Sequence, residues 1–190
     1  MSTNSHRLLK SIFKLRGLLM VPPMIFVTFC VYGETELEVL VFGLGGTVFV
    51  LGLLTRIWSQ VHLRYRLNSP TVLTTTGPYR YVRNPIYIGN TLMLLAACML
   101  AELFWFVPIM LVYCASVYTC VVRYEETHLL DKYGLAYRHY MNSVHRWLPK
   151  LAIASNTKTT HTNGPICPSL LAEWHNLLLL LPFITKELMR

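Results

Sequence analysis

Four long apolar runs, 17–32, 37–58, 86–101 and 103–122, constrain this chain more than any motif in it. A helix needs about 20 residues, at about 1.5 Å rise each, to cross about 30 Å of hydrocarbon. The second and fourth runs meet that length; the first and third, at 16 residues each, need help from their flanks. Backbone in lipid must satisfy its own polar groups, so closed helices are expected throughout. Charged residues make up only 14% of the chain, against about 25% in a soluble domain, while 54% are apolar. With a mean hydropathy of +0.43, the chain reads as an all-α, polytopic membrane helix bundle with four core transmembrane helices. Pro22-Pro23 predicts a kink in the first of them.

The basic residues give an orientation. Arg7, Lys10, Lys14 and Arg16 precede the first run, and Arg56, Arg64, Arg66, Arg80 and Arg83 fill the connection after the second. Six more, from Arg123 to Lys158, follow the fourth. The other two connections carry Glu34, Glu36, Glu38 and Glu102 but no Lys or Arg. Basic residues on alternate connections mark cytoplasmic loops, so the N-terminus and the polar clusters described below are expected on the cytoplasmic side. The net charge of +8 fits a belt beside anionic lipid headgroups, and nothing resembles a nucleic-acid module.

Other signals carry little chemistry. Cys30, Cys98, Cys114, Cys120 and Cys167 form no C-x-x-C and read as isolated thiols rather than a disulfide framework. His128, His139 and His145 lack partners at zinc-like spacing, so no metal is expected. Gly43, Gly45, Gly46 and Gly52 lie in an apolar helix, where small residues admit close helix approach rather than cradle phosphate. The Thr-, Asn- and Ser-bearing stretch 151–165 reads as a flexible linker, and 166–190 as an apolar helix lying at the interface or docked on the core.

Two polar clusters remain. Gly77-Pro78-Tyr79-Arg80-Tyr81-Val82-Arg83-Asn84-Pro85-Ile86-Tyr87 leads into the third run, and Arg123-Tyr124-Glu125-Glu126 closes the fourth. Asn84 suits a helix cap and Pro85 the first helical position. On these residues alone the glutamates fit either a solvated helix end balanced by Arg123 or a paired functional site, since ionised groups near hydrocarbon are costly. Tyr79, Tyr81 and Tyr87 fit either interfacial anchors or a ligand wall. Tyr133, Tyr137 and Tyr140, at helical spacing, fit a packing stripe.

The sequence G-P-Y-R-Y-V-R-N-P-I-Y-I-G, followed by E-E-x-x-L-x-x-x-Y-G-x-x-Y-x-x-Y and by R-x-x-P at 146–149, resembles the integral-membrane methyltransferases. That superfamily includes the isoprenylcysteine carboxyl methyltransferases and phosphatidylethanolamine N-methyltransferases. The resemblance runs from about 37 to 149 and is tight at 73–89 and 123–149, so residues 1–150 would form a membrane-embedded methyltransferase domain. It implies S-adenosylmethionine at the cytoplasmic face and a lipophilic methyl acceptor arriving through the membrane lipids. Carried over by position, the cofactor-binding residues are Leu73 and Thr74 within 71–74, Tyr79, Asn84, Pro85, Tyr87, Glu125 and Glu126, with Arg64 a weaker match.

Two departures bear on the acceptor. Asn84 stands where the isoprenylcysteine enzymes commonly have His, and Val121 where their carboxylate-contacting Arg would stand. Of the acceptors the resemblance allows, a lipid-headgroup amine, a prenylcysteine-like carboxylate or a small hydrophobic molecule, these departures count against the carboxylate and leave an amine, a thiol or a neutral lipid headgroup open. Proximity suggests that Arg123 positions the acceptor and that Glu126 takes a proton or orients Arg123. The alternatives are an NADPH-dependent membrane reductase on a related scaffold and a non-catalytic protein that binds lipid or a partner.

Overall fold

The computed structural model describes residues 3–30, 38–68 and 73–150, together with Leu180. The expected linker and C-terminal helix lie, Leu180 apart, outside the described residues, as do Cys167, residues 71 and 72 and the side chain of Arg64. Among the described residues six α-helices follow in order: α1 (Thr3–Lys14), α2 (Val21–Phe29), α3 (Glu38–Asn68), α4 (Pro85–Leu100), α5 (Phe106–Tyr133) and α6 (Leu135–Ser143). No strand occurs among the described residues.

Among the described residues, two helices are long and apolar enough to cross a membrane, Val39–Leu63 within α3 and all of α5. A third span exists if Arg7–Lys14 and Leu18–Phe29, which meet at 69°, are taken as one broken helix. At 16 residues α4 is too short to count by itself. Of the four core spans expected, the described residues thus supply two or three candidates by length and composition, with α4 a shorter apolar helix beside them. Pro22 and Pro23 are not the site of the bend. They occupy the first turn of α2, where a missing N–H leaves no hydrogen bond unmade. The chain turns before them, around Gly17, and α1 is a helix that the apolar runs did not announce.

Both long helices outrun their apolar segments. Helix α3 passes Trp58 and ends at Asn68, so Arg56 sits inside it rather than in a connection. Helix α5 continues unbroken to Tyr133, which puts Glu125 and Glu126 in its interior. It stops at Gly134, whose φ of +53° and ψ of −124° suit glycine alone.

Helices α3 and α4 cross closely at two glycines. A Cβ on Gly52 would lie 2.9 Å from Gly89 O, and one on Gly89 would lie 2.8 Å from Gly52 O. A Cβ on Gly45 would lie 3.0 Å from the Leu100 side chain, whereas Gly43 and Gly46 face open space. Such backbone approach is how helices gain packing energy where the solvent is itself apolar. The core continues between α4 and α5 through Leu94, Ala97, Cys98, Met110, Cys114, Val121 and Val122. Cys30, Cys98, Cys114 and Cys120 are all free thiols. Val39, Leu40, Leu44, Val50, Leu51 and Leu54 on α3, with Ile109, Leu111 and Val112 on α5, are exposed. These apolar flanks suit lipid contact rather than water.

Candidate active site

The polar turn and the glutamate pair, 38 residues apart at Tyr87 and Glu125, converge because α4 and α5 are packed side by side. A cavity of about 1180 Å³ opens between the α1–α2 elbow, α3, α4 and α5, and reaches α6. Leu73, Thr74, Tyr79, Asn84, Tyr87, Glu125 and Glu126 all line it. Pro85 does not. It is buried as the first residue of α4 and sets the start of that helix. Arg123 does not either, being exposed on the outer side of α5.

Tyr87 donates its hydroxyl to Glu125 Oε1 at 2.9 Å. Its ring lies 4.9 Å from that of Tyr118, centroid to centroid, so a carboxylate stands beside an aromatic pair at the cavity wall. Neither a solvated helix end nor a pairing with Arg123 describes Glu125.

Glu126 has a different environment. It is buried, and Arg146 donates to it twice, from Nη2 to Oε2 at 2.5 Å and from Nε to Oε1 at 3.1 Å. Arg83 Nη1 forms an ion pair with the same carboxylate at 3.1 Å. This fork-on-fork geometry is the strong form of an ion pair. The bond to Glu126 raises the pKa of Arg146 above its ordinary value, the cost of partial burial being smaller. The oxygens of Glu126 therefore meet Arg146 and Arg83, two arginines other than the Arg123 expected beside it.

That clamp ties the segment after α6 to the polar turn. Arg83 N donates to His145 O and Lys150 N to Tyr81 O, each at 3.0 Å. Asn84 takes the capping position before α4, yet its side chain caps nothing there. Its Nδ2 donates instead to Arg146 O at 3.2 Å. From α6, the buried Tyr140 donates to Tyr79 O at 2.6 Å. Tyr137, Tyr140 and Val144 pack with Leu73, Leu129 and Tyr133, so the tyrosine stripe is a packing seam that also borders the cavity. Burial, with Glu126 adding to it, pushes the Tyr137 phenol up to about 12. Burial raises Tyr140 further still.

The opposite wall was not foreseen. Phe13, Arg16, Met20, Met24 and Thr28 come from the N-terminal elbow, and Arg56, Gln60 and Asn90 from α3 and α4. The elbow is fastened to α5 by Tyr113, which donates to Leu19 O at 2.6 Å, and by ring contact of Phe13 with Tyr124. One signal was present in the sequence: Arg56 is the sole Asp, Glu, Lys or Arg between 39 and 63.

The sequence model of the phospholipid methyltransferase family matches residues 40–136, which hold all but the first two residues of α3, with α4, α5, the polar turn and both glutamates. The chain belongs to this family. Among similar proteins are the nickel-cobalt-cadmium resistance protein NccN of Alcaligenes xylosoxydans xylosoxydans and the cobalt-zinc-cadmium resistance protein CzcN of Cupriavidus metallidurans. The first is 28% identical over 116 residues, covering 61% of this chain and 52% of that protein. The second is 25% identical over 132 residues, covering 68% of this chain and 60% of that protein. The chain thus spans little more than half the length of these relatives. No solved structure matches it. The described apolar helices fit an integral membrane protein of that family.

Proposed function

We propose that this protein transfers a methyl group from S-adenosylmethionine to a lipophilic acceptor at the cytoplasmic face of a membrane. The observation that carries the reading is the shared cavity, in which the Tyr87–Glu125 pair and the polar turn face one space. The residues present fit the donor. Glu125, oriented by Tyr87, would take its ammonium. The start of α4, with its positive dipole end, would favour its carboxylate. Tyr79, Leu73 and Thr74 would border its adenine, and a sulfonium beside the Tyr87–Tyr118 rings would gain about 0.5–2 kcal/mol. When bound, the donor supplies an activated methyl group.

The chain's own residues have to orient and to exclude water. Well-aligned groups supply roughly 7–11 kcal/mol of a barrier through effective molarity, and a dry pocket suppresses competing hydrolysis. Met20, Met24, Met93 and Leu94 give the cavity an apolar side for an acceptor drawn from the bilayer. Arg123 has no part in this reading, and Glu126 acts by holding Arg83 and Arg146 in place. The metal-resistance roles in the relatives' names belong to those proteins; this reading rests on the family and on the cavity lining. The basic loops support a cytoplasmic site.

Equilibrium binding to purified protein in detergent tests the donor. S-adenosylmethionine is expected to bind, and NADPH is expected not to. Binding of NADPH alone would favour a reductase and overturn the proposal.

A further inference from the structure

Arg56 lies seven residues before the end of the span Val39–Leu63, which places it about 10 Å inside that helix end at about 1.5 Å per residue. A charge at such depth is costly and marks function more often than packing. It reaches the cavity because α3 and α4 cross so closely, its Cγ lying against Gly89 where a Cβ would stand. Arg56 Nη1 donates to Asn90 Oδ1, and Asn90 shares a hydrogen bond with Tyr118. Gln60, one helical turn beyond Arg56, lines the same wall. A belt of polar groups therefore runs across three helices, from Glu125 and Tyr87 through Tyr118 and Asn90 to Arg56.

We infer that Arg56, with Gln60 and Asn90, forms a second subsite that binds the anionic head group of the methyl acceptor. The guanidinium fork matches phosphate and carboxylate oxygens two at a time, and the amides of Gln60 and Asn90 carry further donors. Met24 and Met93, adaptable thioethers on the apolar side of the cavity, would take the chain attached to that group. The acceptor is then an anionic amphiphile that Arg56 pulls below the helix end, level with the Tyr87 and Tyr118 rings. The inference deepens the methyl-transfer reading and assigns the acceptor's end of the cavity. Arg56 is a specificity residue in it, while Glu125 serves the donor.

Binding without turnover separates the two claims. Purified protein in nonionic detergent is titrated with lysophosphatidic acid, lauric acid and dodecanol, with and without S-adenosylmethionine. Wild-type protein is expected to prefer one or both anionic probes over dodecanol, and the preferred probe identifies phosphate or carboxylate as the group read. In Arg56→Gln, affinity for that probe should fall about tenfold to a hundredfold, as for loss of charge-assisted hydrogen bonds. Dodecanol and donor affinities should hold. Arg56→Lys, which keeps the charge but loses the fork, should recover only part of the preference. Equal binding of all three probes by the wild type overturns the inference even if no variant folds. So does a fall in donor affinity with lipid binding intact, which would assign Arg56 to the donor. Absence of S-adenosylmethionine binding, with the anion preference present, would count against the methyl-transfer reading and leave the anion subsite standing.

Discussion

Glu125 and Glu126 are adjacent on α5, yet the helix turns them into different surroundings. Successive residues of an α-helix point about 100° apart, so one carboxylate meets Tyr87 at the cavity wall and the other enters a two-arginine clamp. The cavity wall holds the Tyr87–Glu125 hydrogen bond and two aromatic rings beside a large open volume. The clamp is built for permanence, with both oxygens of Glu126 occupied and three segments joined across it. The comparison teaches that a paired-glutamate motif need not be a paired-glutamate site. In the proposed reading one member would take the donor, while the other braces the turn that borders the pocket.

The largest way to break this comparison is Glu126→Ala. It strands Arg83, whose side chain is only 10% exposed, beside Arg146. The expected loss is roughly 3 kcal/mol, the low end for breaking a buried pair because Arg146 keeps some solvent. Thermal unfolding in detergent reads it, and donor affinity of the surviving folded fraction should change little. Gly134→Ala tests how α6 is delivered to the clamp. Its backbone angles disfavour any Cβ, and about 1–3 kcal/mol of stability should be lost, read by the same melt.

Tyr140→Phe is a smaller probe of the same side. It leaves Tyr79 O without its 2.6 Å donor, and about 1–2 kcal/mol is expected from an unmet buried acceptor. Smallest within an accessible pH range is an alkaline effect. Tyr137, raised to about 12 by burial, stays protonated in the folded state while an unfolded tyrosine ionises near pH 10. Above pH 10 the unfolded chain binds fewer protons, so stability falls as pH rises towards 12 and is complete below pH 10. A pH series of melting temperatures should show that slope, shallower in Tyr137→Phe.

Much of this was readable beforehand, for physical reasons. Runs of apolar residues at span length had to be helices, and α3 and α5 are. The capping position of Asn84 and the first-turn position of Pro85 follow from local backbone chemistry. What escaped was non-local. No local rule joins Glu126 to an arginine 20 residues later, or Asn84 to a carbonyl 62 residues away. Helix α1 escaped because its residues are too polar to register as an apolar run, although Leu9 is buried. Arg56 was counted as loop charge, since an apolar run was taken to stop near it. Its helix continues because nothing in 59–68 breaks one.

The central claim is that the Tyr87–Glu125 pair holds a methyl donor while Glu126 does not touch it. The measurement that tests it most directly is equilibrium binding of S-adenosylmethionine to wild-type, Glu125→Gln and Tyr87→Phe protein, each with its melting temperature. Donor affinity should fall about tenfold or more in both variants, the weight of one charge-assisted hydrogen bond, with melting temperatures close to wild type. Unchanged donor affinity in Glu125→Gln would contradict the account.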